Sequence, residues 1–240
     1  MTIVSATARW SVAEVYVDMH RRILTGQLRP GTALSEMQIA SHYSLSRTPI
    51  RQVFQRLADA GFLSVVPQVG TYVAPIQMAA IRDAQFMRET LECRTVRQAA
   101  EAHVAGKKRI LKNILKDQAQ TLGKRDSLAF FACDEALHHT LMEMAGHPHI
   151  WDLIVSAKAQ LDRLRYLSLE SPDWLEMMFA QHEEIVDRVI ASDPDGAAHV
   201  MEAHLRTTFA AIDRIAAEHA RFFEDEQRPR APRPPAGRRR

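Results

Sequence analysis

The stretch SLSRTPIRQVFQRL, residues 44–57, predicts a helix with a proline in its first turn. If Ser46 caps this helix, Pro49 is its third residue, where a missing backbone N–H removes no helical hydrogen bond. Four apolar residues then recur at helical spacing and predict one buried face. They are Ile50, Val53, Phe54 and Leu57. The proline therefore marks where the helix starts and does not break it.

Two arginines of the same helix lie outside this apolar face. Arg47 and Arg51 are four residues apart, so they are neighbours on one side and, with Thr48, project from the N-terminal end. In a helix-turn-helix that end enters the major groove, where arginine can pair with guanine, and the positive helix terminus favours phosphate. On charge alone, the two arginines are equally well explained as solvated surface groups.

The elements around this helix have the order of a winged helix-turn-helix. Residues 12–24 have apolar groups at helical spacing, Ser35 is placed to cap a short second helix, and 46–60 form the third. The stretch FLSVVPQVGTYVAP, residues 62–75, then predicts two short strands around a turn, because apolar and polar residues alternate. We predict a DNA-binding domain over residues 1–74.

Beyond a linker at 74–77, nearly the whole sequence has helical periodicity. Breaks at glycine or proline divide it into six helices, which predict an all-α bundle over residues 78–223 and a mostly α fold class. The six predicted helices are 78–104, 107–123, 126–145, 149–168, 172–191 and 194–223. Residues 227–240 carry six arginines and no acid and predict a disordered tail. This tail either attracts DNA phosphates or has no part in binding.

Composition narrows the class of protein. The contents of 46% apolar and 25% charged residues are typical of a soluble globular protein. No apolar run reaches the length of a membrane span, so we expect a cytoplasmic protein without a membrane partner. Cys93 and Cys133 have no CxxC spacing, which argues against a disulfide framework and thiolate catalysis. Residues 1–76 are mildly basic and 77–226 acidic, as expected for a nucleic-acid module attached to another domain.

Histidines on three of the predicted bundle helices suggest a metal site. Asp134 and His138 are four residues apart and leave one helix on the same face, while His182 and His204 lie on two others. Inward side chains on facing helices build metal sites in bundles, and three imidazoles with one carboxylate suit Zn²⁺, Ni²⁺, Mn²⁺ or Fe²⁺. Taken singly, each histidine is better explained as an ordinary core or surface residue.

Roughly residues 15–75 resemble the DNA-binding domain of the GntR family of bacterial transcription regulators. The shared pieces are PG..LSE, SRTP.R, RL...G and the glycine at the wing tip. The resemblance implies that helix and wing contact a double-stranded DNA operator. The implied contact residues are Glu36, Ser46, Arg47, Thr48, Arg51, Gly70 and Thr71. The family usually has Glu-Ala after the second arginine, whereas this chain has Gln52 and Val53, so the operator sequence cannot be carried over.

Residues 80–220 resemble the helical effector domain of the FadR-type branch of that family, called the FCD domain. The shared pieces are MRETLECRTVRQAA, D...H..L...AGHP and H.EIV..VIASDPDGAAHVMEAH. The resemblance implies that Asp134, His138, His182 and His204 bind a divalent metal. It also implies that Arg88 points into the cavity and pairs with a carboxylate effector. Alone, Arg88 could equally be a surface residue of the first bundle helix.

Together these features favour a ligand-responsive transcription regulator, a homodimer that reads a pseudo-palindromic operator and senses a small organic acid. Repression is the habit of the family that the chain resembles. One alternative is a metal-dependent, hydrolase-like enzyme, although the sequence has no HExxH motif or nucleophile elbow. Another alternative is a regulator that binds its ligand without a metal.

Overall fold

The computed structural model describes residues 10–168, 172–210, 215, 218 and 220–223. These residues are mostly helical, with a small antiparallel sheet near the N-terminus. The helices are α1 (Val12–Leu24), α2 (Glu36–His42), α3 (Arg47–Asp59), α4 (Met78–Glu101), α5 (Lys107–Lys124), α6 (Ser127–Met144), α7 (Ile150–Ala157), α8 (Ala159–Ser168), α9 (Pro172–Ile190) and α10 (Pro194–Ala210). The strands are β1 (Ala33–Leu34), β2 (Leu63–Val66) and β3 (Gly70–Val73). The predicted class, a winged helix-turn-helix followed by a helical bundle, is confirmed.

The winged helix-turn-helix consists of α1 to α3 and the sheet. Strand β3 lies between β1 and β2 and pairs antiparallel with both, so the β2–β3 hairpin forms the wing. Helices α1 and α2 pack against α3, and their apolar faces share one core with the sheet. The sequence does not predict β1, because two residues are too few for an alternating pattern and their pairing with β3 is a long-range contact.

Helix α3 begins where the sequence predicts. Ser46 is the N-cap residue, Arg47 is the first helical residue, and Pro49 lies in the first turn. All four residues of the predicted apolar face are buried. The Ser46 hydroxyl makes no capping hydrogen bond, whereas the Ser35 hydroxyl accepts one from the backbone N–H of Gln38 at the start of α2. The start of α3 is therefore set by Pro49 and by burial of its apolar face.

Helices α4 to α10 form the C-terminal bundle. The long helix α4 packs against α6, α7, α8, α9 and α10, and α5 packs against α6 and α9. The prediction of a single helix over 149–168 is wrong, because the chain breaks at Lys158 into α7 and α8. The described residues therefore contain seven bundle helices instead of six. No glycine or proline marks this break, and the Lys158 ammonium lies between the carboxylates of Glu135 and Asp162.

The last predicted helix, 194–223, is observed as α10, and part of its remainder lies outside the described residues, as does the predicted tail at 227–240. Residues 220–222 form a short 3₁₀ turn, after which Phe223 makes a parallel bridge to Ile76. Within the described ranges, none of the helices combines the length and the apolar character that a membrane span requires.

Helix α8 lies at the junction of the two domains. Ala159 belongs to the apolar core of the winged helix-turn-helix, and Tyr166 packs against the same core. The Gln160 side-chain amide donates to the carbonyl oxygen of Gly61, two residues after the end of α3, at 2.7 Å. The Arg163 guanidinium donates to the carbonyl oxygen of Pro75 in the linker at 3.4 Å. One bundle helix thus contacts both the core of the N-terminal domain and its linker.

Candidate nucleic-acid interface and metal centre

The first two arginines of α3, Arg47 and Arg51, are held together by a glutamate of α2, Glu36. Their side chains are 64% (Arg47) and 68% (Arg51) exposed. Arg47 Nη2 donates to Glu36 Oε2 at 3.2 Å, and Arg51 donates to both carboxylate oxygens at 3.3 Å. Hydrogen bonds from Arg51, and then from Arg47, lower the pKa of Glu36. Glu36 therefore stays ionised at neutral pH and fixes the spacing of the two guanidinium groups.

The other residues implied in DNA contact lie on two separate elements. Ser46 and Thr48 are exposed at the N-terminal end of α3, next to the arginine pair. Gly70 and Thr71 are half-buried at the start of β3, in the wing. Residues 63–73 carry no charged side chain, so a wing contact to DNA would use backbone, hydroxyl and apolar groups.

The four predicted metal ligands come together in the middle of the bundle. Asp134 and His138 lie on α6, His182 on α9 and His204 on α10, and all four are at most 2% exposed. One ligand atom from each lies within 4.8 Å of all the others. His182 Nε2 is 3.3 Å from Asp134 Oδ1 and 3.4 Å from His204 Nε2. His138 Nε2 is 4.0 Å from the same Asp134 oxygen.

Each of the three imidazoles has an oxygen atom next to its other nitrogen. His182 Nδ1 is 2.9 Å from Gln118 Oε1, and His204 Nδ1 is 3.0 Å from Gln181 Oε1. His138 Nδ1 is 2.5 Å from Glu92 Oε2. An acceptor at Nδ1 holds the proton there and leaves the Nε2 lone pair free, as in protein metal sites. The Nε2 atoms of His182 and His138 lie near Asp134 Oδ1, and that of His204 lies next to His182 Nε2.

A buried atom without a partner supports this assignment. His138 Nε2 is buried and has no hydrogen-bond partner among the described residues, which is uncommon for a polar atom in a protein interior. It faces the other ligand atoms of the cluster. A divalent cation at the centre would satisfy this nitrogen together with the other three ligand atoms. The donor set of three imidazoles and one carboxylate thus fits a transition metal.

The electrostatics also favour the metal-binding protonation state. Burial lowers the pKa of His182 and holds the pKa of His204 well below its usual range. Burial alone would raise the pKa of Asp134, but Arg165 and the surrounding histidines outweigh it and hold the pKa well below normal. At neutral pH these two imidazoles are neutral and the carboxylate is ionised, so binding a cation requires no loss of protons from them.

Arg88 is not a surface residue, because it is 1% exposed. Arg88 Nε donates to Glu92 Oε1 at 2.5 Å, and the other oxygen of Glu92 faces His138. Burial raises the pKa of Glu92, but Arg88 and then His138 outweigh it and bring the pKa to about 2. Arg88 thus lies next to the cluster through Glu92 and is engaged by that carboxylate.

Several residues around the cluster were not identified from the sequence. Arg165 on α8 donates from Nη2 to Asp134 Oδ2 at 2.6 Å, the carboxylate oxygen that faces away from the histidines. Glu92 lies four residues after Arg88, and this helical spacing is a signal that could have identified the pair. No comparable signal exists for Arg165, Gln118 or Gln181, because each meets its partner only through packing of distant helices.

Comparisons with known proteins identify both domains. Residues 11–73 match the model of the bacterial regulatory proteins of the gntR family, and residues 83–207 match the FCD domain. An HTH-type transcriptional regulator from an unstable DNA locus of Streptomyces ambofaciens is 36% identical over 211 residues, covering 88% of each chain. The HTH-type transcriptional repressor RspR of Escherichia coli is 31% identical over 213 residues, covering 89% of this chain and 93% of RspR.

A solved structure shares the fold over most of the chain. The Escherichia coli protein McbR/YncC superposes with a TM-score of 0.71 at 20% identity, covering 85% of this chain and 97% of that one. The two family matches and the names of the relatives identify a transcriptional regulator. The chain belongs to the GntR family of regulators, in the branch with an FCD domain.

Proposed function

We propose that this regulator represses transcription as a homodimer and that a small carboxylate, bound to a divalent transition metal in the bundle, controls its binding to DNA. The observation that carries the metal is the convergence of three imidazole nitrogens and one carboxylate, with an acceptor at each Nδ1. The observation that carries the DNA contact is the exposed arginine pair at the N-terminal end of α3. Repression is supported by the names of relatives such as RspR.

The operator would be read by two copies of α3. Arg47 and Arg51 would contact base edges in the major groove, with Ser46 and Thr48 on the adjoining phosphates. Gly70 and Thr71 would bring the wing to the minor groove. A two-fold symmetric dimer pairs naturally with an inverted repeat, whose half-sites lie about 10 base pairs apart, centre to centre.

The metal would be held by Asp134, His138, His182 and His204, and Zn²⁺, Ni²⁺, Mn²⁺ or Fe²⁺ all suit this donor set. When bound, the ion supplies a Lewis-acidic site for a ligand oxygen. The protein supplies the positioning, because Gln118, Gln181 and Glu92 hold the three rings in one orientation.

The charge around the cluster favours an anionic effector. Among the described residues, three cationic side chains face four carboxylates there. They are Arg88, Lys158 and Arg165, against Glu92, Asp134, Glu135 and Asp162. The net charge of these seven side chains, when all are ionised, is −1. A bound divalent ion would bring the net charge to +1, and a monocarboxylate would neutralise it. Arg88 reaches His138 through Glu92 and would share its charge between Glu92 and the effector.

Two measurements on the purified full-length protein test this proposal. Selection from a pool of random-sequence duplexes should enrich an inverted repeat, and elemental analysis after zinc loading should find about one metal per chain. His138→Ala should lower the zinc content, whereas His139→Ala should not, because His139 is 42% exposed on the same helix. Acetate, malonate and citrate are then titrated into the complex with the selected duplex.

The outcomes separate the parts of the proposal. Enrichment of a duplex without two-fold symmetry would contradict the dimeric reading of the operator. Equal zinc content in the wild type and in His138→Ala would contradict the assigned ligands and favour a regulator without a metal. A metal-loaded protein whose DNA binding responds to none of the carboxylates would contradict the class of effector.

A further inference from the structure

We infer that helix α8 couples the metal cluster to the DNA-binding domain, through the Arg165–Asp134 ion pair on one face and the Gln160–Gly61 hydrogen bond on the other. This inference rests on the proposed metal site. It assigns to Arg165 and Gln160 positioning roles, by which occupancy of the cluster changes the position of the recognition helix α3.

The first face of α8 is ionic and turned towards α6. Asp162 and Arg165 are three residues apart on α8, and Lys158, directly before the helix, is four residues from Asp162, so all three lie on one side. Arg165 Nη2 is 2.6 Å from Asp134 Oδ2, and Lys158 Nζ is 2.8 Å from Glu135 Oε2. The side chains of Lys158 and Arg165 are at most 7% exposed. These contacts are therefore weakly screened by water and salt.

The second face of α8 is turned towards the winged helix-turn-helix. Ala159 and Tyr166 are in contact with the core of that domain. Gln160 Nε2 donates to the Gly61 carbonyl at 2.7 Å. Gly61 has a φ of +77°, and a Cβ built there would lie 3.3 Å from Gln160 Nε2. Backbone and side chain are therefore closely packed at this point, and a shift of α8 is transmitted to the end of α3.

Asp134 connects the two parts because its two oxygens have different partners. Oδ1 faces His182 and His138 in the cluster, whereas Oδ2 accepts from Arg165. A cation on Oδ1 reduces the negative charge that attracts Arg165. Arg165 Nη1 already lies 3.5 Å from Glu135 Oε1, which is the acceptor towards which the guanidinium would move.

Such coupling is reciprocal. If zinc changes the affinity for DNA by some factor, DNA must change the affinity for zinc by the same factor, and couplings between protein sites are typically about 5- to 150-fold. The coupling requires that the Arg165–Asp134 and Gln160–Gly61 contacts of α8 respond together. Weakening either contact without unfolding the protein should leave the zinc site and the DNA-binding surface in place but separate their behaviour.

The test uses the full-length protein, metal-free and with one equivalent of zinc, and the duplex selected from the random pool. Fluorescence anisotropy gives the DNA dissociation constants of the metal-free and of the zinc-loaded protein, and the coupling is measured as the ratio of these two constants. For the wild type we expect a ratio that differs from one by about fivefold or more. In Gln160→Met, which removes the bond to Gly61 and none of the four ligands, we expect zinc affinity within about twofold of wild type and a ratio close to one.

Gln85→Met is the matched control. Gln85 is also buried and its amide also donates to a backbone carbonyl, that of Leu205, at 3.1 Å, but it lies on α4. A general loss of stability should affect both glutamine variants, whereas only Gln160→Met should lose the coupling. We expect Gln85→Met to keep the wild-type ratio.

The contact between Arg165 and Asp134 is tested with a second variant. Arg165→Met leaves Asp134 buried without its cation and can fail to fold, so Arg165→Lys is the informative variant because it keeps the charge with a shorter reach. We expect Arg165→Lys to bind zinc and to have a ratio between one and the wild-type value. In hydrogen exchange, zinc should change the protection of the amides of Gly61 and Phe62 in the wild type, but not in Gln160→Met.

Three results would overturn the inference. If the wild type binds zinc and its ratio is one, the cluster does not act on the DNA-binding domain. If Gln160→Met and Arg165→Lys both keep the wild-type ratio, the signal does not pass through α8. If the wild type binds no zinc, the metal proposal is wrong and this inference is wrong with it, which distinguishes that failure from the first two.

Discussion

Glu36 determines how the two recognition arginines are presented. Its carboxylate receives hydrogen bonds from both Arg47 and Arg51, so these long side chains have less freedom to lose when they bind bases. Its negative charge also opposes loose binding to phosphates. A residue that the sequence suggests as a DNA contact is thus, in the free protein, a partner of the arginines.

Glu36→Gln should therefore bind random-sequence DNA more tightly and discriminate less between the selected duplex and random DNA. Arg51→Ala should lose about 1–3 kcal/mol of binding free energy and relax specificity at the contacted position. Competition between selected and random duplexes measures both effects. Asp59→Asn, at the opposite end of α3, makes the same change in net charge and should keep the wild-type discrimination. An equal loss of discrimination in Asp59→Asn would show that Glu36 acts only through its negative charge and not by positioning the two arginines.

Tyr43 and Asp18 form a pH-dependent contact in the N-terminal core. The Tyr43 hydroxyl donates to Asp18 Oδ2 at 2.6 Å. Burial raises the pKa of Asp18, but the bonds from Tyr43 and Arg21 outweigh it, so that its pKa is lowered. A lowered carboxyl pKa contributes stability above the ordinary value of about 3.9, and this contribution disappears as the pH falls through the folded-state pKa.

Tyr43→Phe should accordingly reduce the free energy of unfolding by about 1–3 kcal/mol at pH 7, the range for hydrogen bonds to charged groups. Urea denaturation of wild type and variant at pH 7 and pH 3 measures the difference. We expect it to shrink at the lower pH, because pH 3 is below the ordinary carboxyl pKa of about 3.9, so Asp18 of the unfolded chain is protonated there. A difference that is the same at both pH values would show that Asp18 is not the charged acceptor.

A buried lysine lies at the break between α7 and α8. Lys158 is 2% exposed and its ammonium is 2.8 Å from Glu135 and 2.5 Å from Asp162. Lys158→Met leaves these carboxylates with only the longer contacts to Arg165, at 3.5 and 3.7 Å, so we expect a loss of about 3 kcal/mol in unfolding free energy, the lower end of the range for a broken buried pair. Lys112→Met is the control, since the pair of Lys112 with Asp187 is exposed and should contribute about 0–1 kcal/mol. Similar losses in chemical denaturation of the two variants would contradict the role assigned to Lys158.

The wing offers a second test on a structural element. Because residues 63–73 carry no charge, the wing adds no phosphate contact by a cationic group. Gln68→Lys at the exposed wing tip should steepen the plot of log affinity against log salt by about 0.9 for each additional phosphate that the new lysine neutralises. Gln120→Lys, on the exposed side of α5, adds the same charge away from the wing and should leave the slope unchanged. If Gln68→Lys and the wild type have the same salt dependence of DNA affinity, contact between the wing and the DNA phosphates is contradicted.

Local patterns predicted most of these elements, and long-range packing explains the exceptions. The start of α3 follows from Pro49 and from apolar spacing, both of which are local. Strand β1 and the break at Lys158 have no local signal, because each exists through contacts with residues far along the chain. The same distinction applies to the site. The resemblance identified the four clustered residues, but Arg165 and Gln118 became visible only after the helices were packed.

The bundle and the cluster together predict a dependence of overall stability on metal. A ligand that binds only the folded protein adds about 2.7 kcal/mol at a free concentration one hundred times its Kd. Zinc should therefore raise the melting temperature of the wild type and of His139→Ala, and have little effect on His182→Ala, as followed by calorimetry. An equal rise in His182→Ala would place the bound zinc elsewhere.

The bridge between Ile76 and Phe223 has a consequence for the linker that follows β3. The backbone N–H of Ile76 donates to the carbonyl oxygen of Phe222 at 2.7 Å, and Phe223 pairs in parallel with Ile76. The linker is therefore fastened by backbone hydrogen bonding to a segment that follows α10. Any movement of the DNA-binding head that bends the linker at Ile76 must carry this segment along or break the bridge.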